Sequence, residues 1–260
     1  MVKPLAPIPE PPPSARRQRG ETAVTKLRRD ILIGRYRPGD RLPPERELSQ
    51  RLGTNRNTLR EALRTLESEN LVRARQGDGT IVLDWRTAGE INLLPWFLAE
   101  ETPADERFNA VLTLLSLREK LLEEVLALVT LHGRPADLDA IETALATLAE
   151  ARPGIDAVVA DVEVYRRIVV ASHSLVMTWV FNTFSRIFLE LGHKFPTLWQ
   201  IDAPYLDGLA QVLRRLREKN PQRAREEMRH LFQERGMALV AELRPDAIIA
   251  ENARGKKGRR

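Results

Sequence analysis

Glycine and proline divide the stretch from Glu21 to Trp85 into short segments, and this division limits what the stretch can fold into. Apolar residues recur at helical spacing from Thr22 to Ile33, which predicts a first helix. Pro43 and Pro44 stand where a second helix begins, and Gly53 ends it after about two turns. Segments this short cannot form long bundle helices, so a small compact domain is expected here.

A third helix and a hairpin complete this domain. Asn55 is placed to cap a helix that begins at Arg56, because its side chain can accept from an amide of the first turn. Leu59, Leu63 and Leu66 recur on one face and predict its buried stripe. The segments Leu71 to Arg75 and Thr80 to Leu83 predict a hairpin across a glycine-containing turn.

The exposed start of the third helix carries polar side chains suited to a DNA groove. An α-helix fits the major groove, and residues of its first turn reach base edges. The guanidinium groups of Arg56 and Arg60 can each donate two hydrogen bonds to guanine or phosphate, and Asn57 and Thr58 lie beside them. A three-helix domain used for protein contacts fits the same pattern, so both interpretations remain open on the pattern alone.

The rest of the chain is predicted to be helical, with no convincing strand after Ala88. Residues 86–104 are expected to form a linker helix and residues 105–245 an all-α bundle. The predicted fold class is therefore mainly α. The predicted helices after Ala88 are Glu90 to Leu98, Glu106 to His132, Asp137 to Glu150, Asp156 to Ser172, Ser174 to Leu191, Asp202 to Lys219 and Gln222 to Leu243. Asp156 is expected to cap the helix that it begins, and Gly192 to end the helix that begins at Ser174.

Charge is distributed unevenly along the chain. Residues 1–20, a proline- and arginine-rich stretch expected to be a disordered tail, and residues 21–85 each carry a net +3, whereas residues 86–250 carry −5. Residues 246–260 are expected to form a basic tail. This asymmetry favours a polyanionic partner for the first domain only.

Several classes of protein are excluded by what the sequence lacks. It contains no cysteine, which removes disulfide frameworks and thiol catalysis. No apolar stretch is long enough to span a bilayer and no signal-peptide pattern precedes the first domain, so a cytoplasmic protein without membrane contact is expected. No phosphate loop, nucleophile motif or carboxylate–histidine pair occurs, so we expect no catalytic residues and no enzyme.

The first domain resembles the winged helix-turn-helix of the GntR family of bacterial regulators. The resemblance is carried by PGDRLPPERELSQRLG, by the helix Arg-x-Thr-Leu-Arg-Glu-Ala-Leu that follows it, and by the Leu-Val that begins the wing. It implies a transcriptional regulator that binds double-stranded operator DNA. The expected DNA-binding residues are Arg46, Asn55, Arg56, Asn57, Thr58 and Arg60, with Gln76 and Gly77 at the tip of the wing.

The helical body is similar to the effector-binding and dimerisation domain of the FadR subfamily. The matching residues are Leu114 to Arg118, Asp161-x-x-x-Tyr165-Arg166, Ala171-Ser172, Asn182 and Gly192. The resemblance implies a homodimer, expected to act as a repressor, whose affinity for DNA is changed by a small acidic metabolite. A fatty acyl thioester such as a fatty acyl-CoA is the leading effector class, and a small organic or sugar acid is the alternative.

Many members of that subfamily hold a divalent metal with one aspartate and three histidines. In this sequence Asp161 is present, but the three histidine positions fall on Tyr165, Leu209 and Leu231. His230 is one residue from the last position, and a shift of one residue turns a helical side chain by about 100°. One carboxylate without imidazoles is a poor transition-metal site. We therefore expect no metal and no cofactor.

Buried polar residues give a second indication of an effector site. Arg118 lies on the apolar face of its helix, and Asp161 and Tyr165 share the apolar face of another. A buried guanidinium requires a partner, which is either Asp161 or an effector carboxylate, phosphate or thioester. The expected effector-binding residues are Arg118, Asp161, Tyr165 and Asn182.

Two further alternatives remain at this point. The stripe of Trp179, Phe181, Phe184 and Phe188 is either a cavity wall or ordinary core. A DNA-packaging protein without an effector would need a long basic surface, whereas residues 86–250 are acidic.

Overall fold

A computed structural model describes residues 15–75, 79–100, 103–194 and 201–242 of the chain. The chain divides into two compact units, Met1–Trp96 and Phe97–Arg260, which we call the N-terminal unit and the helical unit.

The N-terminal unit contains three helices and a two-stranded antiparallel sheet, in the order that the sequence predicts. They are α1 Ala15–Leu32, α2 Glu45–Leu52, α3 Arg56–Ser68, β1 Val72–Arg75 and β2 Gly79–Val82. In the sheet Val72 pairs with Val82 and Arg75 with Gly79. A helix-turn-helix followed by a hairpin is a winged helix-turn-helix.

The first helix begins earlier than predicted. Residues 15–20, which the sequence assigns to a disordered tail, form the first turns of α1. The earlier residues of that tail lie outside the described part of the chain, as do residues 246–260. Arg16, Arg17 and Arg19 are good helix formers, so the α1 helix can extend into the arginine-rich part of the segment without meeting a proline.

Local signals fix the turn between α2 and α3. Gly53 takes φ +65°, a left-handed conformation that glycine adopts at low cost. The Asn55 side chain accepts a hydrogen bond from the backbone N–H of Thr58 at 2.9 Å, which confirms the predicted cap. These two residues set the angle at which α3 leaves the turn.

One apolar core joins the helices and the hairpin of the N-terminal unit. Leu63, predicted with Leu59 and Leu66 on the buried stripe of α3, is only partly buried. The buried members are Leu27, Ile31, Leu42, Leu48, Leu59, Leu66, Leu71, Val72, Val82 and Leu93.

A nearly buried ion pair links α1 to the end of α3. Arg28 donates from Nε and Nη2 to the two carboxylate oxygens of Glu69, at 2.9 and 2.6 Å. The Arg28 guanidinium also lies 4.0 Å from the ring centroid of Trp96. This two-bond geometry and the low exposure make the pair stronger than a surface contact.

The connecting segment differs from the single helix predicted for Glu90 to Leu98. It is built from α4 Trp85–Ala88, a short 3-10 helix Ile91–Leu93 and α5 Leu94–Ala99. Asp84 caps α4, accepting from the amide of Arg86. Because each piece is a turn or two long, the segment is held by its packing and caps rather than by helix propensity.

Six helices form the helical unit, and no strand occurs among its described residues. They are α6 Ala104–His132, α7 Pro135–Ala149, α8 Ile155–Ala171, α9 Leu175–Lys194, α10 Ala203–Arg217 and α11 Pro221–Glu242. The main core is formed by α6, α7, α8, α10 and α11, and α9 packs Met177 and Phe181 against it. The predicted all-α architecture is confirmed.

Two local predictions for the helical unit are wrong. Asp156 does not cap α8, because the N-cap position is Gly154 and makes no side-chain bond there. Gly192 does not end α9, which continues to Lys194. A Cβ on Gly192 would collide with the Val158 side chain, so this glycine allows α9 to approach α8 closely.

No helix in the described part of the chain combines the length and apolar character needed to cross a membrane.

The Arg28–Glu69 pair gives a prediction about stability. Glu69→Ala would leave the guanidinium buried without a counter-charge, and we expect the free energy of unfolding to fall by about 3 kcal/mol. Urea unfolding of the chain followed by tryptophan fluorescence, to which Trp85 and Trp96 of this unit contribute, measures this loss.

The exposed Glu47–Arg51 pair of α2 provides the matched control. Glu47→Ala should cost less than about 1 kcal/mol, because exposed ion pairs contribute little. Equal losses in the two variants would show that the Arg28 pair has no special role.

Candidate nucleic-acid interface and effector cavity

A row of three arginines runs along the exposed surface of α3. Arg56, Arg60 and Arg64 are spaced four residues apart, so they lie on one helical face, and all three side chains are exposed. Asn57 and Arg46 are exposed as well, and Asn55 is exposed while its side chain caps the helix. The start of α3 therefore offers guanidinium groups and an amide side chain to a partner.

The arginines of this row differ in their surroundings. Arg60 donates from Nε to the carboxylate of Glu45 on α2, at 2.9 and 3.1 Å. Within the described residues Arg56 makes no ion pair or side-chain hydrogen bond. Arg56 can therefore engage a phosphate or a base directly, whereas Arg60 must first give up or share Glu45.

The structure corrects the assignment of Thr58 to the exposed set. Its side chain is 1% exposed, and its hydroxyl has no hydrogen-bond partner among the described residues. Thr58 lies at four-residue spacing from the buried Ala62 and Leu66, so it belongs to the buried face of α3 rather than to the groove-facing surface.

The wing supplies cations that sequence reasoning missed. Arg73 and Arg75 are exposed on β1, and Arg64 extends the row on α3. The spacing of Arg56, Arg60 and Arg64 is visible in the sequence and could have identified Arg64. Gln76 and Gly77, predicted at the wing tip, lie outside the described residues.

The helical unit contains a cavity with almost entirely apolar walls. It encloses at most about 580 Å³, a volume that includes its open mouth. Arg118 contributes the only basic group and Asp161 the only acidic group among the lining residues. The full lining is Arg118, Leu121, Leu122, Val125, Asp161, Val162, Tyr165, Val169, Met177, Val180, Phe181, Phe184, Ser185 and Phe188.

Aromatic rings surround the guanidinium of Arg118. Its central carbon lies 4.2 Å from the ring centroid of Tyr165, 4.9 Å from that of Phe188 and 4.6 Å from that of Phe232. The negative faces of such rings stabilise a cation electrostatically. Aromatic rings on α8, α9 and α11 thus stabilise the guanidinium of Arg118, which belongs to α6.

A hydrogen-bonded chain of buried oxygens lies beside this guanidinium. The Tyr205 hydroxyl donates to Oδ1 of Asp161 at 2.5 Å. Because that bond uses the only hydrogen of the Tyr205 hydroxyl, the Tyr165 hydroxyl must be the donor in its own 2.9 Å bond to Tyr205. The Tyr205 hydroxyl also helps to raise the pKa of Arg118. The hydrogen-bonded chain joins α8 and α10, beside the charge that α6 contributes.

The network shifts the ionisation of its members. Burial by itself lowers the pKa of Arg118, but Tyr165, Tyr205 and the Asp161 carboxylate raise it, and the pKa ends above its ordinary value. Burial raises the pKa of Tyr205 well above its ordinary value, and the nearby Asp161 charge raises it further. The Arg118 side chain is therefore cationic and the Tyr205 hydroxyl neutral at physiological pH.

The structure brings together three of the four expected effector residues. Arg118, Asp161 and Tyr165 line the cavity, whereas Asn182 is exposed and accepts a hydrogen bond from Arg166 at 3.2 Å. Asn182 follows the lining residue Phe181 by one position, which turns it by about 100° away.

Sequence reasoning missed Tyr205, although a signal was present. Tyr205, Leu209, Val212 and Leu216 recur at helical spacing and are all buried on α10. A tyrosine on such an apolar face requires a partner for its hydroxyl. Of the aromatic stripe on α9, Phe181, Phe184 and Phe188 line the cavity, but Trp179 is 64% exposed on another face.

The residues at the metal-ligand positions of related domains do not fit a metal. Leu209 and Leu231 are buried in the main core, and Tyr165 is engaged with Tyr205. Among the described residues no group of three or more histidine or acidic side chains could hold an ion. A single carboxylate among apolar groups is a poor ligand set for a transition metal.

Comparison with known families and proteins agrees with this two-unit architecture. Residues 19–82 match the model of the bacterial regulatory proteins of the gntR family, and residues 113–234 match the FCD domain. The solved structure of Lar, which controls the expression of the Listeria monocytogenes agr system, shares the fold. Its TM-score is 0.59 at 15% sequence identity, over 90% of this chain and 100% of that chain.

Two relatives illustrate the sequence similarity. The HTH-type transcriptional regulator Mce2R of Mycobacterium tuberculosis is 33% identical over 136 residues, which are 52% of this chain and 56% of that protein. The "Putative L-lactate dehydrogenase operon regulatory protein" of Escherichia coli is 35% identical over 145 residues, 54% of this chain and 53% of that protein. The chain spans about half the length of these relatives.

Each of the two units thus matches a family model of its own. The winged helix-turn-helix belongs to the gntR family of bacterial regulatory proteins, and the helical unit carries an FCD domain.

Proposed function

We propose that the protein is a transcriptional regulator that binds operator DNA through its winged helix-turn-helix and changes its affinity when a small organic acid enters the helical unit. The observation that carries the first part is the exposed arginine row of α3 at the start of a helix in a gntR-family domain. Guanidinium groups at this place suit the phosphates and guanine edges of a major groove.

The helical unit supports the second part of the proposal. Its cavity has almost entirely apolar walls and one basic side chain among the lining residues, a composition typical of small-molecule sites. We also propose that the helical unit belongs to the FadR subfamily. This is supported by Arg118, Asp161 and Tyr165, which match residues of that subfamily in sequence and line one cavity in the structure. The name of the E. coli relative, which refers to an L-lactate dehydrogenase operon, supports an acid as effector.

The cavity favours the free acid over the fatty acyl-CoA, which was the leading expectation from the sequence. A CoA thioester brings several phosphates, each of which needs cationic or amide partners. Arg118 is the only basic side chain among the cavity-lining residues, and the thioester has no free carboxylate for it. A small free acid brings a single negative charge, which can pair with the single basic side chain of the lining.

We further propose that two copies of the chain act together. One winged helix-turn-helix reads only a half-site, and a two-fold dimer reads two half-sites about one helical turn apart. Sedimentation of the full chain should give about twice the monomer mass. A monomer that binds its operator tightly would contradict this part.

A mobility-shift assay tests the proposal as a whole. The full chain is mixed with the DNA upstream of its own gene and with random DNA of equal length, with and without added small acids. We expect retention of the upstream DNA at protein concentrations that leave random DNA free, and a change in that affinity with acid. Equal retention of both DNAs would instead indicate a packaging protein.

Arg56 gives a sharper test of the interface. Arg56→Ala removes an exposed guanidinium that has no partner in the described structure, and operator binding should weaken by about 1–3 kcal/mol. Fluorescence anisotropy on operator variants measures both this loss and the preference for each base.

Arg152→Ala in the helical unit is the matched control, since Arg152 is also an exposed arginine. It should leave operator affinity within about twofold. An equal loss for Arg56→Ala on operator and random DNA would make Arg56 a phosphate contact rather than a base contact. No loss at all would remove it from the interface.

A further inference from the structure

We propose that the cavity selects a monocarboxylic acid whose body is apolar and carries no hydroxyl groups, and that Arg118 recognises its carboxylate. This inference rests on the proposed function, because it names the effector class for the same cavity.

The lining of the cavity indicates the body of the ligand. Its α9 wall consists of Met177, Val180, Phe181, Phe184 and Phe188, which lie along one helical face, and α6 and α8 add leucine and valine side chains. Such apolar walls suit an aromatic ring or an alkyl chain.

The polar side chains of the lining are few. Besides Arg118 they are Ser185, whose Oγ donates to the backbone oxygen of Asn182 at 3.1 Å, and Tyr165 and Asp161, which are both bonded to Tyr205. Along most of the cavity wall a hydroxyl on the ligand would leave water and face carbon atoms. Such burial without a hydrogen bond is unfavourable, so hydroxylated acids should bind more weakly.

The charges of the lining limit the ligand to one carboxylate. A guanidinium carries five N–H donors, and Arg118 lines the cavity, so it can bind a carboxylate through two of these donors. The other charged group of the lining is the Asp161 carboxylate. A second carboxylate on the ligand would find no second cation in the lining and would be repelled by Asp161.

This selection departs from the sugar acid that the sequence left open, and from hydroxy acids such as the lactate to which the name of the E. coli relative refers. Sugar acids carry a hydroxyl on nearly every carbon, and each hydroxyl would lose its water in this cavity. The aromatic rings around Arg118 also favour a flat or alkyl body over a hydrated one.

Four related compounds separate the elements of the proposal by calorimetric titration of the full chain. Phenylacetate is the apolar monocarboxylate, mandelate adds one hydroxyl, phenylmalonate adds one carboxylate and phenylacetamide removes the charge. Hexanoate provides a second apolar body and gluconate a hydroxyl-rich acid.

We expect phenylacetate or hexanoate to bind, and mandelate, phenylmalonate and phenylacetamide each to bind at least about tenfold more weakly than phenylacetate. Gluconate should give no measurable binding. Binding of gluconate or mandelate as tight as that of the apolar acids overturns the proposal, as does an absence of binding by both apolar acids.

An arginine variant tests the recognition residue. Arg118→Lys keeps the positive charge but removes the fork, and it should weaken binding of the apolar acid at least about tenfold. Arg186→Lys, on an exposed residue of α9 that does not line the cavity, is the control and should bind as the unaltered chain does. Equal affinity of the two variants overturns the role of Arg118. If Arg118→Lys does not fold, the titrations with the unaltered chain still decide the ligand class.

The two proposals fail in different ways. Acid binding in the expected order without any effect on retained DNA would leave this inference standing and remove the regulatory role. Specific retention of the upstream DNA that responds to gluconate rather than to apolar acids would keep the regulator and overturn the ligand class.

Discussion

The partly buried charge of Arg118 is the constraint around which the helical unit is arranged. A guanidinium withdrawn from water is unfavourable unless its charge and its donors are matched. In this unit the match comes from several helices at once: a carboxylate on α8, a hydroxyl on α10 and rings on α8, α9 and α11. A charge on one helix therefore fixes the positions of four others. The same arrangement leaves the guanidinium at the wall of a cavity rather than sealed in the core.

Much of the N-terminal unit could be predicted from the sequence because its signals are local. Gly53 and the Asn55 cap act within a few residues of the turn that they form, and both are found as expected. The outcome for Thr58 and Arg60 depends on neighbours that no local pattern reveals. Thr58 is buried among neighbouring side chains, and Arg60 meets Glu45, fifteen residues away on another helix.

The helical unit shows the same difference between features that local sequence determines and features that depend on distant contacts. Helical periodicity places Arg118, Asp161 and Tyr165 on apolar faces, and the structure brings them together at one cavity. Tyr205 was missed because it is forty residues from Tyr165, and sequence spacing cannot show that the two hydroxyls meet. Gly192 was misread as a helix end, since a glycine that admits a neighbouring helix looks the same in sequence as one that ends its own.

The pairing of Arg60 with Glu45 has a consequence for the ionic-strength dependence of any complex with DNA. The steepness of that dependence reflects how many cations leave the phosphates when protein charges replace them. Arg60 carries its own carboxylate, so the pair together contributes little net charge at that phosphate unless the two side chains separate. A count of the exposed arginines on α3 would therefore overestimate the number of cations released when DNA binds. The difference between that count and the measured number would show whether Glu45 stays paired with Arg60.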